Sequence, residues 1–200
     1  MDVERVMRFK LSHVTLSLIA LTAVTSKVGL GLDSEEIVNG EARFPRLIAS
    51  NLEKRSFTLP DDFEGSRNLL LVAFQREQQQ QVDTWLREMR RFEELDPEFR
   101  YYELPTIQSP NRLVRWFIDT GMRRGIPDPK ARSRTITLYL DKQPFLKALG
   151  ITDENRIYCF LVNRSGQVLW RAAGVFDDAK AVSLRECLQS LMKRPSEGLK

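Results

Sequence analysis

Chemistry in this 200-residue chain would have to come from very few side chains. There are two cysteines, Cys159 and Cys187, and a single histidine, His13. A structural zinc site takes about four nitrogen or sulfur ligands, and a Ser–His–Asp triad needs a histidine held inside the fold. Neither can be assembled from this set. Cys159 falls in an apolar run, and Cys187 beside Leu184 and Leu188 in a helix-forming stretch. Three states suit them: buried thiols behaving as small hydrophobes, a structural disulfide between strand and helix, or an unusual redox site. The residues favour the first, because a reactive thiol sits at a helix N-terminus or beside basic groups, and a mid-strand thiol has neither. Glu93 and Glu94 are adjacent on a helix and diverge, so they do not form an acid–base pair. Asp177 and Asp178 suit capping of the helix that follows them. No glycine-rich phosphate loop is present. The sequence therefore nominates no catalytic residue, no metal ligand and no cofactor site.

Charge is more informative. The chain carries 31 basic and 27 acidic residues, a net +4. Residues 112–134 hold seven of the basic ones (Arg112, Arg115, Arg123, Arg124, Lys130, Arg132, Arg134) against Asp119 and Asp128. That segment is +5, and the remainder of the chain sums to −1. It reads either as a surface for an anionic partner, lipid headgroups or an acidic protein face, or as a solvated helix face with a loop. Nucleic acid is disfavoured, since no recognisable module accompanies the basic residues.

The elements that must carry these residues follow from periodicity. Residues 56–60 form a short extended run, 61–65 have turn composition, and 68–74 are a continuous apolar stretch suited to a strand buried on both faces. Residues 78–99 place Val82, Trp85, Leu86, Met89, Phe92 and Leu95 at steps of three and four, one face of a long helix. The glutamines at 78–81 read as its solvated start. A strand over 99–104 ends at Pro105. Asn111 caps a second helix whose Leu113, Val114, Trp116, Phe117 and Met122 read as its apolar, core-facing side. A basic loop leads to a strand over 135–140, a helix over 143–149 ended by Gly150, and a hairpin of 157–162 and 168–171 around a turn at 163–166. Trp85, Trp116 and Trp170 all read as core. A final helix covers 179–192. Residues 33–55 read as a polar lead-in.

The N-terminus has a different composition. Residues 11–26 are apolar, flanked by Arg8, Lys10 and Lys27. About 16 residues reach about 24 Å as a helix, short of a roughly 30 Å hydrocarbon core. The layout predicts a secretory signal peptide, with Met7 as a plausible start, or failing that an N-terminal anchor or a buried helix. The expected organisation is a signal or anchor at 1–26, a lead-in at 27–43 and one domain at 44–194. The expected location is exported, periplasmic or membrane-associated. His13 would leave with the leader.

This order (an extended segment, a βαβ unit, a helix, a terminal hairpin and a last helix) resembles the thioredoxin-like arrangement. Residues 44–74 (FPRLIASNLEKRSFTLPDDFEGSRNLLLVAF) are similar to the opening of thioredoxin-like and peroxiredoxin-like domains, and 148–176 to their closing hairpin. The hairpin and the glutamine-rich helix start together resemble the mitochondrial ATP synthase assembly-factor family known as ATPase-complex protein ten. That resemblance implies a thioredoxin-like α/β fold, a central mixed sheet flanked by helices, and a role in assembling a membrane complex with an inner-membrane protein as client. The departure lies just after Phe74. A dithiol site needs a low-pKa thiolate at the helix N-terminus; here stand Gln75, Arg76, Glu77, Gln78, Gln79 and Gln80. The proline usual before the penultimate strand is replaced by Ile157. The expectation is a redox-silent thioredoxin-like assembly or chaperone-like factor at or near a membrane. The alternatives are a degenerate thiol oxidoreductase or peroxidase using Cys159 or Cys187, and a passive binding subunit of a periplasmic complex.

Overall fold

The computed structural model describes residues 42–109 and 111–193. The expected leader, His13 and all but the last two residues of the segment 27–43 lie outside the described residues.

Seven strands form one mixed sheet in the order β2-β1-β5-β4-β3-β6-β7. The strands are β1 (Leu47–Asn51), β2 (Ser56–Leu59), β3 (Arg67–Ala73), β4 (Phe99–Gln108), β5 (Ile136–Leu140), β6 (Tyr158–Val162) and β7 (Val168–Ala173). The helices are α1 (Gln79–Leu86), α2 (Met89–Leu95), α3 (Arg112–Gly125), α4 (Pro129–Arg134), α5 (Lys142–Leu149) and α6 (Asp178–Lys193), with a 3-10 turn at Arg76–Gln78 before α1. β3, β4 and β5 run parallel, and β6 closes antiparallel on β3 with β7 beyond it. The parallel pairs need crossovers, which α1–α2 and α3–α4 supply. The α/β thioredoxin-like architecture expected from the sequence is therefore the one adopted.

Alternation along each strand divides the core in two, because successive side chains point to opposite faces. Leu70, Val72, Tyr102, Leu104, Ile136, Leu138, Tyr158 and Phe160 line one face and meet Phe57, Leu59, Phe63 and the α5 residues Phe145, Leu146 and Leu149. Leu69, Leu71, Phe99, Cys159, Leu161 and Trp170 line the other, covered by Val82, Trp85, Met89 and Phe92 from α1–α2 and by Leu184 and Leu188 from α6. Trp85 and Trp170 are fully buried. Their rings meet edge to face at 6.1 Å.

Several boundaries differ from the sequence reading. The polar lead-in contains β1, whose backbone pairs with both β2 and β5; ladder hydrogen bonds hold it, so its composition is a weak guide. The single long helix is two, interrupted at Arg87 and Glu88, with Val82, Trp85, Met89 and Phe92 all still packed in one core cluster. β4 continues through Pro105 to Gln108. Pro105 stands opposite Ala73, the last residue of β3, so its missing N–H interrupts little of that ladder. The basic loop contains the short helix α4, started by the Asp128 carboxylate accepting from the amides of Lys130 and Ala131, with Pro129 at the first helical position. α5 begins at an Asp141 cap and ends at Gly150, whose φ of 63° is the left-handed helix stop.

Candidate functional site

In a thioredoxin-like fold the chemistry belongs where β3 ends and α1 begins, facing the segment before β6. Phe74 follows the last residue of β3, and the first turn of α1 carries Gln79, Gln80, Gln81 and Val82. Of the glutamines read as a solvated helix start, Gln79 and Gln80 are exposed as expected, whereas Gln78 and Gln81 turn inward. Gln78 is buried, with 3% of its surface exposed. Its Oε1 accepts from the amides of Phe74 at 2.8 Å and Gln75 at 3.3 Å, and its Nε2 donates to the carbonyl of Glu154 at 2.6 Å. One turn on, Gln81 Oε1 accepts from the amide of Ile157 at 3.4 Å. Lys142 adds an ion pair of 2.5 Å to Glu154. Side-chain amides thus fasten the end of β3 and the start of α1 to the segment leading into β6. An amide is neither a nucleophile nor an electron carrier, so this arrangement holds backbone in place. No proline immediately precedes β6; Ile157 is there, fully buried, and among the described residues the cis peptide bond is Leu59–Pro60 at the end of β2.

The two thiols lie apart from that corner. Cys159 sits in mid-β6, completely buried, and burial pushes its thiol well above the ordinary range, outweighing the nearby Lys180 charge. Cys187 on α6 is half-buried and touches the carbonyl of Leu169 at 3.8 Å. The two are not joined in a disulfide. A thiol with a raised pKa is a poor nucleophile at neutral pH, since the thiolate is the reactive form.

Glu103 is a residue that sequence reasoning missed. It lies on β4 with 7% exposure, and its Oε2 accepts from Gln79 at 3.3 Å. Burial pushes its carboxyl up, and the neighbouring Asp83 charge adds to the shift against the Gln79 hydrogen bond. Alternation along β4 was the available signal, for Glu103 occupies a position on the same face as Phe99 and Tyr101.

The seven basic candidates are divided by the fold. Arg132 pairs with Glu53 and donates to the carbonyls of Ile126 and Pro127. Arg134 pairs with Glu93 at 2.5 Å and lies over the Tyr101 ring. Arg123 donates to the carbonyl of Leu52, and Arg115 bonds Ser109 and covers the Tyr139 ring. Arg112, Arg124 and Lys130 are exposed. The apolar residues expected in the core are also outside: α3 buries no residue, and Trp116 is 60% exposed. The reason lies beneath it. β5 sends Ile136 and Leu138 to the core, so Thr137 and Tyr139 face α3. That surface is polar and takes the side of α3 that carries Asp119: Tyr139 donates to Asp119 at 2.8 Å, while Met122, alone of the expected apolar side, turns inward to 4.0 Å from Thr137. A cleft of about 200 Å³ beside α4, lined by Asn51, Arg55, Glu64, Arg100 and Tyr102 among others, holds charges already paired, Arg55 with Glu64. Among the described residues, no cluster of three or more His, Cys, Asp or Glu side chains could hold a metal, and no helix is long and apolar enough to cross a membrane.

No family model matches the chain. No curated protein matches it in sequence. Solved structures do resemble it. The thioredoxin domain of a thiol-disulfide oxidoreductase from Bacteroides vulgatus has a TM-score of 0.51 at 16% identity, covering 74% of this chain and 97% of that one. BsSco, a member of the Sco family of cytochrome c oxidase assembly proteins, has a TM-score of 0.52 at 10% identity, covering 80% or more of both: 81% of this chain and 99% of its own. A thioredoxin-like fold is what this likeness establishes.

Proposed function

We propose that this chain is a binding protein built on a thioredoxin-like frame, an assembly or chaperone-like factor at or near a membrane, with no working thiol site. The observation that carries the reading is the glutamine fastening at the β3–α1 corner. Gln78 fills the position with a buried amide bonded on both sides, in the place where the fold's chemistry would need an accessible thiolate. The client, by the family resemblance of the hairpin and helix start, is an inner-membrane protein. Residues 1–26 serve as export signal or anchor in this reading, and the domain works on the exported side.

A second reading is a thiol oxidoreductase of the thioredoxin or peroxiredoxin kind. The solved structures favour it over the first, for the Bacteroides vulgatus domain belongs to a thiol-disulfide oxidoreductase. Cys187, half-buried on α6, would be its accessible thiol. Insulin reduction and peroxide consumption by the purified chain separate the two readings. The first requires no turnover above background and unchanged client binding in Cys159→Ser and Cys187→Ser. Turnover abolished by thiol blockers, or by Cys187→Ser in a folded protein, establishes the second.

A further inference from the structure

We infer that α3 is an interfacial helix that lays Leu113, Trp116 and Phe117 into the surface of an anionic lipid bilayer. The helix is amphipathic and mounted with its apolar side outward. Asp119, Met122 and Arg123 face the body of the protein, where Tyr139, Thr137 and the Leu52 carbonyl receive them. Leu113 is 72% exposed, Phe117 67%, Trp116 60% and Val114 42%, on two consecutive turns. The Trp116 and Phe117 rings are in edge-to-face contact at 5.0 Å, so they form one protruding apolar cluster. Isolated exposed apolar residues are ordinary on a protein surface; four on one helix that buries nothing are not.

Charge identifies the occupant. Arg112 and Arg124 lie exposed on the same helix, and Lys130 on the next one. Of the seven basic residues in 112–134, Arg132 and Arg134 are paired with Glu53 and Glu93, and Arg112, Arg124 and Lys130 are the ones left exposed around the apolar cluster. An apolar partner protein would have no use for this excess. An anionic headgroup layer matches it, and the combination of a basic helix with Trp, Phe and Leu on its free side is the composition of helices that lie in the plane of the interface. The inference deepens the membrane-side part of the proposed function and rests on it only for access to a bilayer.

Intrinsic fluorescence of the full chain tests it. Trp85 and Trp170 are fully buried, so Trp116 is the tryptophan that reports on lipid. Vesicles of phosphatidylglycerol mixed with phosphatidylcholine should shift its emission to the blue, and brominated acyl chains should quench it. Phosphatidylcholine alone should do neither. Trp116→Phe should abolish the signal yet keep sedimentation with the vesicles. Replacing Arg112 and Arg124 by Gln should weaken partitioning about thirtyfold. Leu113→Ser with Phe117→Ser should weaken it at least about tenfold, with the circular dichroism unchanged. Sedimentation without a Trp116 response would mean that another segment, such as residues 11–26, binds the lipid, and would overturn the inference. Equal response to neutral vesicles would overturn it too. So would a Trp116 emission that is blue before lipid is added, whether from a second copy, seen as concentration-dependent dimerisation, or from the chain's own apolar N-terminal run. None of these outcomes bears on insulin reduction, so the thiol-silent reading stands or falls separately.

Discussion

Replacing Gln78 by Ala removes the fastening at the β3–α1 corner without touching the apolar core. Three hydrogen bonds are lost, to the Phe74 amide, the Gln75 amide and the Glu154 carbonyl. Gln75 is exposed, so its amide regains water at little cost. Phe74 is buried, and its orphaned N–H costs about 1–3 kcal/mol, while a typical bond such as that to Glu154 contributes about 1 kcal/mol net. The expected loss is about 2–4 kcal/mol. With a urea dependence of about 2 kcal/mol per molar, the unfolding midpoint should fall by about 1–2 M. Trp85 and Trp170, both buried, report the transition by fluorescence. Gln80→Ala is the companion, since Gln80 is exposed on the same helix turn and its loss should change stability by less than about 0.5 kcal/mol. A Gln78→Ala midpoint equal to wild type would refute the argument, because the glutamine would then be a surface residue on an idle corner. Equal destabilisation by Gln80→Ala would refute it as well, by showing that helix-start effects, and not the buried bonds, set the cost.

Two further outcomes follow from buried charge. Burial raises the Glu103 carboxyl, with Asp83 adding to it, so the folded state holds its proton more tightly than the unfolded chain. Stability from this group is complete below the unfolded pKa and is lost as pH rises through the folded one, so Glu103→Gln should be more stable than wild type at neutral pH, with the difference vanishing near about pH 4 in urea titrations. Asp96 is the opposite case: burial drives its carboxyl up, but the Arg67 guanidinium and the Glu98 amide outweigh this and hold it below the usual range. Its contribution is present above the unfolded pKa and lost as pH falls through the folded one. Arg67→Met leaves a carboxylate only 1% exposed without its cation and should cost about 3 kcal/mol at neutral pH, with Asp96→Asn in the same chain restoring part of it. Thermal unfolding of the two variants at neutral pH checks the order.

The sequence by itself determined the central strands, because an apolar run bounded by turn residues is legible in any tertiary setting, and strand alternation then sends Leu69 and Leu71 to one core face and Leu70 and Val72 to the other. It also determined that the β3–α1 corner holds no thiol. No fold can supply a thiolate where Gln75 through Val82 contain no cysteine. What it left open was orientation and pairing. The spacing of Leu113, Val114, Trp116 and Phe117 shows that α3 has an apolar side, but not what that side meets. The answer depends on β5, where Ile136 and Leu138 go to the core and leave Thr137 and Tyr139 to receive α3. A helix laid on a polar sheet face docks by its polar side, and its aromatic residues go to solvent. The same holds for the basic segment, since Arg132 finds Glu53 and Arg134 finds Glu93 across 79 and 41 residues of chain. Periodicity is a local property of the chain, whereas the surface that meets each face is assembled from residues far apart in it. Only tertiary structure could decide that the seven-residue basic cluster is partly internal, and that the apolar side of α3 is the one left outside.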